Sequence, residues 1–573
     1  MRTPFLVLVL LGCGSTPAAP DGGGPSVDAA SRDAAPALRD AGAEPDAERD
    51  GEPDAGPPPE GPHFAATRIG DHVQWRESHP VPCYLMNSVA CTALATTGGV
   101  TVGDVNDDGW PDAVFARMDA PDLLYLNDGA GRFSLPPREI DPTPWLSNGV
   151  ALADFDADDD LDLAVGTVGD DQLLLYVNDG EGRFEERARA RGAALDDGTL
   201  HATMSLCAGD ANGDGFLDLH ATEWRPHESD RHTSRNALLL NRGESARGFF
   251  RDSTEEWGLS MVDVERAGAW GFTSHLADLN ADDQVDLWVT ADFGCSRLFW
   301  GTDEARCEDM TDHAGVGTDE NGMGSTLGDF DGDGDLDAFV SAIYDDDCGE
   351  PCYWGTSGNR LYRNEGGGRF TDVTDAWGVR DGGWGWGTAF FDYDLDGDLD
   401  LVLVNGVEWT REETGFHEDP VRLWRNEGDR FVEVAWELGL RDRGIGRAVV
   451  PADVDRDGDL DLILTHARGP AILWRNEAAE GRSWLVVEPR GAWPNLGAWG
   501  ATVRVQAREG GPWQTRMVGN GCHFLGHTPG TPHFGLGDAE TVARVEVRWP
   551  SGATTTLEDV PARQHLEFEE PAE

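Results

Sequence analysis

Apolar and polar residues alternate along this chain in short blocks, without helical spacing. Apolar runs follow an aspartate again and again: DLAVG, DLWVT, DAFVS, DLVLV and DLILT begin at Asp162, Asp286, Asp337, Asp400 and Asp461. Partly β-branched runs this short predict buried strands. A Gly-containing strand precedes each one, as in TGGVTVGD and NGMGSTLGD, and a third follows: LLYLND, LLLYVND, ALLLNR, RLFWG, RLYRNE, RLWRNE, ILWRNE. A fourth is led by aromatics in RFSL, RFEE, GFFRD, RFTDVT and RFVEVA. Seven units of four strands predict an all-β seven-bladed propeller. The fourth unit has only CEDMT in the last place, and the seventh runs straight into WLVVEP. HFAATRIG, His63 to Gly70, has the look of that missing strand and would close the ring, leaving no open sheet edge.

Between the first two strands of every unit lies a nine-residue acidic loop. Its first, third, fifth and ninth residues are Asp104, Asn106, Asp108, Asp112; Asp154, Asp156, Asp158, Asp162; Asp210, Asn212, Asp214, Asp218; and Asp278, Asn280, Asp282, Asp286. The last three loops carry Asp329, Asp331, Asp333, Asp337; Asp392, Asp394, Asp396, Asp400; and Asp453, Asp455, Asp457, Asp461. Four oxygen-bearing side chains and a carbonyl near position seven suit Ca²⁺, so up to seven ions are expected. Without a cation, such clustered carboxylates repel. An EF-hand is excluded, because it needs a glutamate at position twelve. That position holds Phe115, Val165, Ala221, Val289, Val340, Leu403 and Leu464. Position six is Gly109, Gly215, Gly334, Gly397 or Gly458, which supplies a left-handed residue, but Asp159 and Asp283 replace it in the second and fourth loops. Those two sites are expected to be the weakest.

The ends read differently. Residues 1–12 resemble a signal peptide too short to span a membrane permanently, and LLGC resembles a bacterial lipobox that would lipidate Cys13. Residues 13–62, rich in Pro, Ala, Gly and Asp, cannot bury a core and read as a tether. Residues 63–482 are assigned to the propeller and 483–570 to a small β-rich domain. The exported context favours disulfides, and Cys83 with Cys91, Cys295 with Cys307 and Cys348 with Cys352 are close enough to propose. Cys207 and Cys522 are left without an assigned partner. Cys522, His523, His527 and His533 invite a zinc reading, against which packing is the stronger alternative.

The acidic loops with their flanking strands resemble the FG-GAP/VCBS repeats of integrin-α-type propellers. WLVVEP, GATVRV (Gly500 to Val505), GNG (Gly519 to Gly521), HFGLG (His533 to Gly537) and VEVRWPSG (Val545 to Gly552) resemble the ASPIC/UnbV domain of cartilage acidic protein and its bacterial relatives. Trp499 departs from that pattern, where the family tends to a small aliphatic residue. The resemblance implies a calcium-binding, secreted or surface-attached protein without a settled activity.

A net charge of −62 makes nucleic acid and anionic membrane surfaces poor partners. All 44 basic residues are arginine, which excludes lysine-dependent chemistry. The membrane is reached by the lipid anchor alone. The face opposite the acid loops carries the long insertions of blades three, five and six, with Trp224, Trp354 and Trp409 as candidate ligand-face residues, and interblade loops add Trp145, Trp270, Trp384 and Trp386. Such aromatics stack on sugars or anchor a protein partner, or else pack between blades. The expected function is adhesion or binding of an extracellular protein or polysaccharide. A polysaccharide lyase or hydrolase is the alternative, with no nucleophile, base and oxyanion set standing out. A structural part of an envelope complex is the third.

Overall fold

A computed structural model describes residues 63–70, 96–196, 198, 200–224, 235–261, 270–302, 306–346, 348, 355–407, 416, 419–479 and 481–572. Six antiparallel four-stranded sheets and one six-stranded sheet form the blades, each laid down in chain order from the innermost strand outwards. The innermost strands are Val100–Gly103, Ser147–Ala153, Thr203–Gly209, Gly271–Ala277, Ser325–Gly328, Gly385–Phe391 and Gly446–Ala452. Each touches the next, and the last returns to the first, so the ring is closed. Those strands are almost wholly buried, which explains their Gly, Ala and Thr content. Between neighbours there is no room for more: a Cβ on Gly149 would lie 2.1 Å from the Met204 carbonyl, and one on Gly324 2.2 Å from that of Trp386.

The N-terminal strand closes the ring. Phe64–Arg68 pairs antiparallel with Ile472–Asn476, the third strand of blade seven. Phe64 stands opposite Asn476, as Phe370 stands opposite Asn364 and Phe431 opposite Asn426 in their own blades. Phe64 is buried against Tyr393 of blade six. Blade four completes its sheet with Arg306–Asp309 despite lacking the aromatic lead.

Beyond blade seven the chain forms two further sheets around a core of Val487, Val503, Val545, Trp549 and Phe534. Ser483–Arg490, His533–Gly537 and Gln564–Glu569 make one; Gln514–Met517, Thr502–Gln506, Thr541–Arg548 and Thr554–Pro561 make the other. This domain sits on the acid-loop face. From it the hairpin Cys522–His523 and Gly526–His527 enters the ring axis and pairs parallel with Val100 and Thr101, which makes the sheet of blade one six-stranded. Phe524 and Leu525 at its tip are fully buried. Phe524 stacks on Trp386 at 5.4 Å and meets Phe272 edge-on at 5.7 Å. Leu525 donates its amide to Ser205 Oγ and accepts from Val100 N–H. Each tip side chain contributes roughly 1.5–3 kcal/mol by leaving water.

Cys207, on the innermost strand of blade three, is disulfide-bonded to Cys522 in this plug, across 315 residues of sequence. Cys295 and Cys307 are not bridged by a disulfide, contrary to the proposed pairing. Cys307 pairs with Gly301 near the far end of a strand that starts at Arg297, whereas Cys295 precedes that start. Six residues of strand separate them by roughly 20 Å, beyond the reach of a disulfide. Cys348 is disulfide-bonded, while Cys13, Cys83, Cys91 and Cys352 lie outside the described residues.

Truncation to residue 62 is expected to leave solubility and melting temperature unchanged. Truncation to residue 76 removes the closing strand, and should lower the melting temperature and promote aggregation in a light-scattering melt. Identical melts would show that Phe64–Arg68 does not close the ring.

Candidate metal centres

The acid loops are built by their own backbone. In six loops the first aspartate accepts N–H groups from positions five and six, as when Asp392 receives Asp396 and Gly397 at 3.1 and 2.9 Å, and in loop five Asp329 accepts that of position six, Gly334, at 3.1 Å. The fifth accepts the N–H of position seven in every loop, at 2.9–3.2 Å. Two left-handed residues make the tight path possible. Position four has φ between 55° and 75° (Asp107, Ala157, Gly213, Ala281, Gly332, Leu395, Arg456), and at position six Asp159 and Asp283 adopt 77° and 68° where the other loops use glycine.

The ninth aspartate is almost wholly buried in each loop: Asp112, Asp162, Asp218, Asp286, Asp337, Asp400 and Asp461 are exposed by 1% or less. In all seven blades its Oδ1 accepts the N–H of a residue at or near the end of the third strand, Asn127, Asn178, Asn241, Gly301, Asn364, Asn426 or Asn476, at 2.7–3.0 Å. The asparagine side chain then crosses to the preceding blade. Its Nδ2 donates to the second-position carbonyl of that blade's acid loop: Val454, Val105, Phe155, Leu279, Phe330 and Tyr393, at 2.7–2.9 Å. Six of the seven junctions carry this staple. Blade four has Gly301 instead, because a Cβ there would lie 2.4 Å from the Val285 carbonyl. The reading of the sequence assigned these asparagines no role, though the repeated LND, LNR and RNE endings were the available signal.

In the four loops with aspartate at position three, carboxylate oxygens converge within 4.8 Å: Asp154, Asp156 and Asp158; Asp329, Asp331 and Asp333; Asp392, Asp394 and Asp400; Asp453, Asp455 and Asp457. The other three loops place Asn106, Asn212 or Asn280 at position three. A hard cation fits this donor set. Asp156 Oδ1, Asn280 Oδ1, Asp329 Oδ1 and Asp331 Oδ1, together with Asp162 Oδ2, are buried without a hydrogen-bond partner, and all are oxygens of the kind Ca²⁺ takes. Burial, followed by repulsion among neighbours, pushes the carboxyls up: Asp154, Asp210 and Asp329 to about 6, Asp453 to about 7 and Asp392 to about 8. At position nine, Asp112 and Asp286 rise to about 7 and Asp337 to about 9, chiefly through burial.

The other candidates fall elsewhere. Cys522 is in a disulfide, His523 Nδ1 donates to the Thr388 carbonyl and His533 Nε2 to the Gly458 carbonyl, so the zinc reading gives way to packing. Trp499 is buried and stacks on His527 at 5.7 Å, bracing the plug. Trp224 is buried inside the ring: it stacks on Phe272 and donates Nε1–H to Asp292. Trp270, Trp384 and Trp386 are buried with it, and Trp145 is half-buried. Trp354 and Trp409 lie outside the described residues.

This geometry defines a seven-bladed propeller whose acidic turns are cation-ready and whose acid face is capped. The chain matches the FG-GAP-like repeat family over residues 104–165, 160–221 and 352–403, and the ASPIC and UnbV family over 491–573. The propeller thus carries FG-GAP-like repeats, and the C-terminal domain matches ASPIC and UnbV. It is similar to cartilage acidic protein 1 of Mus musculus, 26% identical over 494 residues that cover 73% of each chain. The Homo sapiens protein of that name is 26% identical over 497 residues, 79% of this chain and 69% of the relative. Among solved structures, an Agrocybe aegerita lectin that recognises non-reducing terminal N-acetylglucosamine gives a TM-score of 0.38 at 16% identity, covering 59% of this chain and 79% of that one. YCF48 bound to D1 peptide gives 0.37 at 8%, covering 72% and 94%.

Asn426→Ala removes a staple and leaves the Phe330 carbonyl buried without it, which should cost about 1–3 kcal/mol in thermal unfolding. The exposed control Asp429→Ala should cost under about 0.5 kcal/mol, and equal costs would contradict the staple. In metal-free protein, raised carboxyl pKa values mean that the folded state holds more protons than the unfolded one. Stability therefore falls as pH rises through the folded values and returns as pH drops. The melting temperature should climb from pH 9 to about 6.5; below that, His275 and His527, held by burial at about 3, oppose it. A flat calorimetric profile over this window would refute the carboxyl assignment.

Proposed function

We propose that this chain is an exported binding protein whose propeller is stiffened by Ca²⁺ in up to seven acid loops. In this reading Cys13 carries the lipid anchor, and the face opposite the acid loops meets an extracellular protein or polysaccharide. The observation that carries the cation is the convergence of carboxylates with buried, unpartnered oxygens on turns their own backbone has already shaped. Ligation replaces repulsion among those carboxylates and stabilises the folded state by mass action. Export is supported by the Cys207–Cys522 disulfide, which belongs to oxidising compartments. Among the described residues no helix is long and apolar enough to cross a membrane. The capping domain covers the acid-loop side and its plug fills the axis, which leaves the opposite face to a partner.

EGTA should lower the melting temperature and millimolar Ca²⁺ restore it, since extracellular sites commonly bind at about 10⁻⁴–10⁻³ M. An unchanged melt would end the calcium reading. A polysaccharide panel separates the functions: retention without new reducing or unsaturated ends supports binding, and new ends support the enzymatic alternative.

A further inference from the structure

The C-terminal domain lands repeatedly on one position of the acid loops. At position six of loop two, Asp159 pairs with Arg490 at 3.0 Å; at position six of loop four, Asp283 pairs with Arg548. At position six of loop seven, the Gly458 carbonyl accepts from His533 Nε2 at 2.8 Å. Gly215 of loop three and Gly397 of loop six lie so close under the domain that an added Cβ would come within 2.9 Å of Pro494 and 2.8 Å of Gln514. Position four of loop six adds the Leu395 carbonyl, which accepts Gly537 N–H at 2.8 Å. The two loops without glycine at position six are thus the two whose sixth side chain reaches the domain as a carboxylate. Between loops five and six stands Arg516, half-buried, with Asp392, Asp329 and Asp398 as its neighbouring charges and Nη2 buried without a hydrogen-bond partner.

We propose that the acid loops are a cation-dependent docking surface for the chain's own C-terminal domain, with Asp159 and Asp283 as docking residues. The proposal rests on the calcium reading above and goes beyond it. Positions four and six are the left-handed residues of each loop, and the first-position carboxylate fixes them by accepting the N–H groups of positions five and six. A cation bound to that carboxylate holds the landing points in place. Without one, the repelling carboxylates part, the landing points shift, and Arg516 loses its ordered surroundings. Linkage makes the effect reciprocal, so a seated domain raises cation affinity by the same factor. The Cys207–Cys522 disulfide keeps the plug tethered while the face loosens.

Hydrogen exchange on the full chain, with millimolar Ca²⁺ or with EGTA, tests this. Chelation should raise exchange at the Gly537 and Leu525 amides by about tenfold or more, while the central strand Asp461–His466 stays protected. In Ca²⁺, the double variant Asp159→Gly, Asp283→Gly should raise exchange several-fold within Ser483–Arg490 and Thr541–Arg548. Exposed ion pairs are individually weak, so a partial effect is expected. The variant's Ca²⁺ affinity, titrated separately, should fall no more than the linkage requires, because glycine suits the left-handed turn. If the loop amides Gly397 and Gly458 respond to EGTA but Gly537 and Leu525 do not, calcium binding stands and the docking proposal fails. If no amide responds, the calcium reading fails and the proposal with it. A double variant that exchanges like the native chain removes Asp159 and Asp283 from docking.

Discussion

The ninth aspartate of each acid loop is almost wholly withdrawn from water, and its carboxylate is where loop, strand and neighbouring blade meet. Oδ1 fixes the end of the third strand, and the asparagine so positioned reaches across to the previous blade's loop. Removing a carboxylate from water is costly unless hydrogen bonds or a cation replace the solvent. At most one amide donor per oxygen, and none at Asp162 Oδ2, only partly meets that cost, as the raised pKa values at these positions indicate. A cation in the loop would meet the remainder. Local ion binding and ring integrity would then be one question, because the staples between blades hang on aspartates of the same loops that would hold a cation.

The capping domain adds a second constraint. Propellers leave an axial channel where innermost strands converge, and here a hairpin of the same chain fills it from the acid-loop side. Below its tip, Phe272, Trp386, Trp224 and Trp270 continue the packing along the axis. The covalent tie to blade three sits at the plug itself, so the plug cannot leave the axis without breaking a buried bond, whatever the rest of the domain does.

Much of this was legible in the sequence because it repeats. The nine-residue spacing, the strand endings and the bare fourth place of the seventh unit specified blade count and ring closure, down to Phe64 occupying the station of Phe370 and Phe431. The plug was not legible. GNGCHFLGHTPG is dense in glycine, histidine and proline, and Phe524 and Leu525 become core residues only inside a ring built by strands hundreds of residues earlier. Nearness in sequence misled for Cys295 and Cys307, since an antiparallel hairpin carries close residues to opposite ends. Trp224 was misleading for a similar reason: an aromatic beginning a polar insertion turns inward once Asp292 offers its indole an acceptor. Asp159 and Asp283 looked like defects in a ligand pattern because the arginines they meet lie more than 250 residues away.

The central claim is that cations occupy the acid loops, between the first two strands of each blade. Native mass spectrometry of the purified chain counts them directly, after equilibration with Ca²⁺ and removal of the unbound excess. The account predicts a folded chain retaining several calcium ions, up to seven, with ions lost one at a time as single loops are altered at positions one or three. A chain that keeps its folded charge-state distribution while holding no calcium would contradict it.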